Sequence, residues 1–221
     1  DLKLVMESRP GSPVTAVQLW VKAGNLTESD SVSGISHFIE HMLFKGTTTR
    51  PVGSIHSEIE KNGGEMNAAT SDDWTYYHIV MPAGDWRRAL EIILDVAENA
   101  AFPAAEVERE REVIKEEIAR RRDNPMAQLY DLIGASCYRW HPYRRTVIGT
   151  AASLDALKRD DLLRYYRRFY VPGRMAVVVV GDFDSAVLCR RVAETLGRRP
   201  HPRPTMVARP MEPLMRADSV S

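Results

Sequence analysis

Cysteine is nearly absent from this chain of 221 residues: Cys137 and Cys189 stand single and far apart. That excludes a cysteine-rich metal cluster and implies no disulfide, and both positions fall in helical patterns that read as packed thiols. Long apolar runs are missing as well. The longest, such as Met175 to Val180, are far too short to cross a bilayer, so membrane insertion is not expected. Nor is either charge in surplus, since 30 basic residues face 30 acidic ones. No global field therefore favours nucleic acid or an anionic membrane. Internal repeats and low-complexity blocks are also lacking. What is present, 44% hydrophobic and 27% charged residues, suits a soluble globular domain with one large core or two small ones.

Against that plain background the segment His37-Phe38-Ile39-Glu40-His41 stands out. Residues four apart on a helix lie one above the other and residues three apart sit beside them, so His37 and His41 can share one ion. Glu40 is placed to reach a water at that ion without becoming a ligand. A helix is expected here, with Ser31 or Ser33 as N-cap, no proline from Val32 to Lys45, and Gly46 at its C-terminal end. Ile35, Phe38, Ile39, Met42 and Leu43 make it apolar enough to be buried, and polar side chains on a buried helix need partners.

Catalytic zinc usually takes three protein ligands and a water, so a third ligand must come from elsewhere. The long helical run Glu106 to Arg122 is the best source, opened by Pro103 and closed near Asp123-Asn124-Pro125. At about 100° per residue, Val107, Ile114 and Ile118 define its apolar face. Glu110 and Glu117 fall beside that face, Glu106 lies near its edge, and Glu108, Glu112 and Glu116 point away. The outward three suit solvated pairs with Lys or Arg. A carboxylate facing the core needs a cation or a donor, so Glu110 and Glu117 both remain candidates on geometry alone. His56 reads as solvated, His78 as half-buried on a strand, and His141 and His201 as loop and linker residues. The arginines 120 to 122 suit a helix C-terminus.

The H-x-x-E-H helix resembles that of the pitrilysin/insulysin-type (insulinase-like) zinc metallopeptidases, the inverzincins, and most closely their mitochondrial processing peptidase and bacterial zinc protease branch. The likeness runs along nearly the whole chain: Gly24, Glu28, Gly34 and HFIEHMLFKGT, then Gly63-Gly64, Asn67-Ala68-Ala69-Thr70, Thr75 and Tyr77, and later His141-Pro142-Tyr143, Gly149, Tyr170-x-Pro172 and VVVVGDF. No metal-binding position departs from the pattern. The third zinc ligand of that family follows the second histidine by about seventy-six residues, which selects Glu117, and a supporting glutamate seven residues earlier corresponds to Glu110.

The resemblance implies a zinc endopeptidase with one ion per chain, Glu40 as general base, and extended or unfolded polypeptides as substrates. It implies that the strand around Gly63 to Thr70, with Asn67 and Ala68, meets the substrate. It implies a second homologous domain or partner chain, a possible dimer, and a bacterial cytoplasmic or periplasmic setting. In that branch the second half supplies an arginine and tyrosine pair, and only the metal-bearing half is expected here. Two other readings are a non-catalytic partner subunit, against which the intact motif argues, and a metal-dependent lyase with a similar helix, in which Cys137 would have to be a ligand.

The fold class expected is α+β: a mixed, mainly antiparallel sheet with helices layered against it. Strands are expected at 2–8, 14–23, 65–69, 75–81 and 175–181, with Ser71-Asp72-Asp73 as a turn. Helices are expected around the motif and at 55–61, 86–101, 106–122, 126–138, 160–170 and 185–196. Residues 1–197 then form the metallopeptidase domain. The proline- and arginine-rich run from 198 to 221 reads as a linker toward a second domain.

Overall fold

The computed structural model describes residues 1–197 and Glu212; the expected linker otherwise lies outside the described residues. Five strands form one sheet: β1 (Lys3–Ser8), β2 (Val14–Val21), β3 (Glu65–Thr70), β4 (Thr75–Pro82) and β5 (Met175–Gly181). Their order is β1-β5-β2-β4-β3, with β1 and β5 parallel and every other pair antiparallel. The mixed, mainly antiparallel α+β architecture read from the sequence is the one observed.

Strict alternation sends Val17, Leu19 and Val21 of β2, Tyr77, Ile79 and Met81 of β4, and Val177 and Val179 of β5 into the core. Each such side chain contributes roughly 1.5–3 kcal/mol by leaving water. The opposite face carries Trp20, Tyr76 and His78. Trp20 stacks on its cross-strand partner Tyr76 with centroids 4.8 Å apart, and Tyr76 stacks on His78 at 5.6 Å. His78 is thus half-buried, as its alternation predicts.

The helices are α1 (Ile35–Leu43), α2 (Ser54–Lys61), α3 (Trp86–Asn99), α4 (Ala104–Arg122), α5 (Pro125–Cys137), α6 (Ala151–Ala156), α7 (Arg159–Phe169) and α8 (Ser185–Leu196). Helix α3 packs on β2 and β4, while α1 is held between β3, β4, α4 and α7. The short α6 is absent from the sequence expectation. It is set by Thr150, whose hydroxyl accepts from Ser153 N while the Ser153 hydroxyl accepts from Thr150 N, a reciprocal cap.

Two details differ from the sequence reading. Neither Ser31 nor Ser33 caps α1, whose N-cap is Gly34 at φ 90°. Cys137 is exposed at the end of α5 rather than packed, because α5 buries none of its residues; Cys189 is half-buried on α8. Arg111 on α4 is buried. Its guanidinium donates to the carbonyls of Leu154 and Leu157, the latter at 2.9 Å, and lies 5.4 Å from the Phe38 ring centroid. One buried cation thereby ties α4 to α6 and to α1.

Candidate metal centre

Helix α1 starts where it does because a carboxylate from outside the helix receives its first N–H groups. The side chain of Glu28, only 6% exposed as a residue, accepts from Gly34 N at 2.8 Å and Ser36 N at 2.9 Å. Ser36 Oγ meets Tyr165 Oη at 2.7 Å, tying the same turn to α7. Phe38, Ile39, Met42 and Leu43 are fully buried, and this anchoring rotates His37, Glu40 and His41 onto the remaining stripe. At the other end, Asp95 on α3 organises the loop after α1. It accepts from Thr47 at 2.7 Å, Thr49 at 2.9 Å, Arg50 at 2.7 Å and Asn99 at 2.8 Å.

The structure brings His37, His41 and Glu117 together. Glu117 Oε2 is 3.7 Å from His37 Nε2 and 3.5 Å from His41 Nε2, and one ligand atom from each residue lies within 4.8 Å of the others. Both separations are too long for good hydrogen bonds. They are close to the ~3.4 Å expected between ligands at about 2.1 Å from a tetrahedral ion. Two imidazole nitrogens and one carboxylate oxygen are also a donor set that zinc accepts, so the residues present fit a metal.

Glu110 has a different place. Its Oε2 is 3.2 Å from His41 Nδ1, and its Oε1 is 2.6 Å from Lys45 Nζ. A carboxylate at Nδ1 fixes that nitrogen as the donor and leaves Nε2, on the Glu117 side, with a lone pair for a ligand role. His37 has no such partner: its Nδ1 is buried with no hydrogen bond among the described residues. Glu108, Glu112 and Glu116 are exposed as read, and Glu106 is buried and paired with Arg109 at 2.8 Å.

In the metal-free cluster, burial and neighbouring charges push the groups in different directions. Burial, with the charge of His41, pushes His37 down to about 4, against the pull of Glu117, so His37 is neutral near pH 7. Burial also works to lower His41, but Glu117, Glu110 and Glu40 outweigh it and hold the ring above its ordinary value. His41 holds Glu117 below the usual carboxylate range despite its partial burial, so it is ionised. For Glu40, burial raises the carboxyl, opposed chiefly by a hydrogen bond from Thr70.

Thr70 Oγ1 donates to Glu40 Oε2 at 2.5 Å. Neither Thr70 nor Lys45 nor the capping role of Glu28 was singled out by sequence reasoning. Lys45 was within reach of it, because it follows His41 by four, although α1 ends at Leu43 and leaves Lys45 just past its C-terminus. A cavity of about 490 Å³ opens beside the cluster, lined among others by His37, Thr70, Glu117, Tyr130 and Tyr143. β3 is an edge strand of the sheet. Ala68 lies on the core side of β3, partly buried, whereas Asn67 is exposed and its Oδ1 accepts from Ala68 N at 2.9 Å. By alternation Asn67 presents its side chain to the face away from the cluster. Cys137 is not part of the metal-capable group among the described residues, and no helix among them is long and apolar enough to cross a membrane.

Comparison with known proteins agrees with this geometry. Residues 3–151 match Insulinase (Peptidase family M16), and residues 156–216 match the Peptidase M16 inactive domain. The second match carries β5, which lies between β1 and β2, so residues from both matches build one sheet. An uncharacterized zinc protease of Mycobacterium leprae is 38% identical over 198 residues, covering 90% of this chain and 44% of the relative. A probable mitochondrial-processing peptidase subunit beta of Arabidopsis thaliana is 33% identical over 180 residues, covering 81% of this chain and 34% of the relative. The crystal structure of a protease from Helicobacter pylori superposes with a TM-score of 0.84 at 27% identity, covering 93% of this chain and 51% of that one. The chain thus spans about half the length of the relatives it matches, or less. On the match over residues 3–151, it belongs to the insulinase family of peptidases, family M16.

Proposed function

We propose that this chain is the metal-bearing part of a zinc-dependent endopeptidase that hydrolyses peptide bonds in extended or unfolded polypeptides. The observation that carries the reading is the convergence of His37, His41 and Glu117 on one point, with Glu40 beside the two histidines on α1. His37, His41 and Glu117 would hold one ion per chain. When bound, zinc supplies Lewis acidity toward water and toward the scissile carbonyl. Glu40 accepts the proton of the attacking water and returns it to the leaving amine, so that the nitrogen departs as an amine rather than an anion. Glu110, braced by Lys45, keeps His41 in the tautomer that serves this arrangement.

The edge strand β3 pairs with an extended peptide through its main chain around Asn67 and Ala68, which requires little of the substrate sequence. A second homologous unit, in the same polypeptide or a partner chain, completes the cleft. The relatives' greater length supports that part. A non-catalytic subunit would have no need of the four motif residues that stand intact here. A lyase using Cys137 finds no support in a thiol that lies outside the metal-capable group.

The test is Glu40→Gln in protein that includes the second homologous unit. It should keep zinc at the parent's stoichiometry and lose hydrolysis of unfolded peptides, by about 100-fold or more. Loss of the metal, or full activity, would contradict the role given to Glu40.

A further inference from the structure

Thr70 enters the cluster from the sheet, not from α1. It closes β3 opposite Thr75, at a hairpin end fixed by the 2.8 Å bond from Ser71 N to Trp74 O. Its hydroxyl reaches Glu40 Oε2 at 2.5 Å, and it shares the wall of the cavity with His37 and Glu117. The two side chains differ in stiffness. Glu40 has three rotatable bonds, and an unheld carboxylate there could turn away from the ion. Threonine has a single restricted χ1 in a strand, so its hydroxyl points where the backbone sends it.

We propose that Thr70 is a positioning residue: it grips one oxygen of Glu40 so that the other stays aimed at the water to be activated. This rests on the reading of Glu40 as general base and extends it. Thr70 also belongs to β3, the strand proposed to pair with substrate. Peptide docking and orientation of the base therefore share one element, and a peptide seated on β3 has its scissile bond referenced to the base through two residues of strand, Ala69 and Thr70.

Two variants separate the hydroxyl from the methyl. Thr70→Val removes the donor with little change in volume, and Thr70→Ser keeps the donor. Crystal structures of the metal-free chains should show Glu40 released from β3 in Thr70→Val and held in Thr70→Ser. Zinc content should match the parent in both. In zinc-loaded protein that includes the second homologous unit, Thr70→Val should lower kcat about 10–100-fold with KM within about twofold, and Thr70→Ser should stay within about threefold of the parent. Equal losses in both variants would make the methyl packing the cause and overturn the proposal. So would a loss confined to KM or to zinc content, or an unchanged Thr70→Val. Glu40→Gln in the same assay keeps the two ideas apart: if it is inactive while Thr70→Val is normal, only the positioning idea fails. If Glu40→Gln is active, the base assignment itself fails.

Discussion

Removing the carboxylate of Glu28 should damage the metal helix from outside it. Glu28 receives two main-chain N–H groups, at 2.8 and 2.9 Å, in a place where the residue is 6% exposed. In Glu28→Ala both donors lose their acceptor. A buried unpaired donor costs roughly 1–3 kcal/mol, so two cost about 2–6. Part of this is offset, because burial pushes the Glu28 carboxyl above its ordinary value, a penalty that disappears with the side chain. The net expectation is about 2–4 kcal/mol of lost stability. At about 2–4 °C per kcal/mol for a domain of this size, the midpoint should fall by roughly 4–16 °C. Glu28→Gln, which keeps one acceptor oxygen, should cost about half as much. Urea and thermal unfolding of the metal-free chains give both numbers. Zinc titration should show weaker binding in Glu28→Ala, since His37 begins one residue after Ser36. A Glu28→Ala chain within about 0.5 kcal/mol of the parent would refute the claim that Glu28 is the cap of α1.

Two further outcomes follow from the supports of the same helix. Gly34 has φ 90°, and a Cβ there would meet Ile148 O at 2.7 Å, so Gly34→Ala should cost at least ~2 kcal/mol in urea unfolding; an unchanged midpoint would contradict it. For Asp95, burial works to raise the carboxyl, but hydrogen bonds from Thr47, Asn99, Arg50 and Thr49 outweigh it and hold it below 3.8, its ordinary value. A folded value below the unfolded one means stabilisation that is present above pH 3.8 and lost as pH falls through the folded value. The stability gap between the parent and Asp95→Asn should therefore be widest near neutral pH and narrow below about pH 4. A gap independent of pH would argue against a charged Asp95 hub.

The sequence made the frame of this molecule readable wherever periodicity was clean. β2 and β4 alternate, α4 carries its apolar stripe at helical spacing, and the order of strands and helices follows from those patterns. The stripe also sorted the glutamates of α4, because orientation on a helix depends only on position. What it could not supply were contacts that cross from one element or loop to another outside any helix or strand periodicity. Glu28 to Gly34 is a loop carboxylate capping a later helix, while Thr70 to Glu40 and Arg111 to Leu154 join separate elements. Nothing local in the chain marks any of the three. The misplaced caps at Ser31 and Ser33 have the same origin: the local rule favours serine, and tertiary structure supplied a better acceptor. Glu110 and Glu117 were equivalent on the helix wheel, and the fold separates them. Glu110 lies under His41 Nδ1 with Lys45, and Glu117 faces the Nε2 atoms at the cavity.

The three-residue cluster carries the metal assignment, and zinc content tests it most directly. The chain purified without added metal, and the Glu117→Ala variant beside it, should be measured by elemental analysis. The prediction is about one zinc per chain in the parent and little in Glu117→Ala, since two imidazoles alone make a weak site. Absence of zinc from a folded parent chain that also fails to take it up, or full retention in Glu117→Ala, would contradict the assignment of His37, His41 and Glu117 as the metal site.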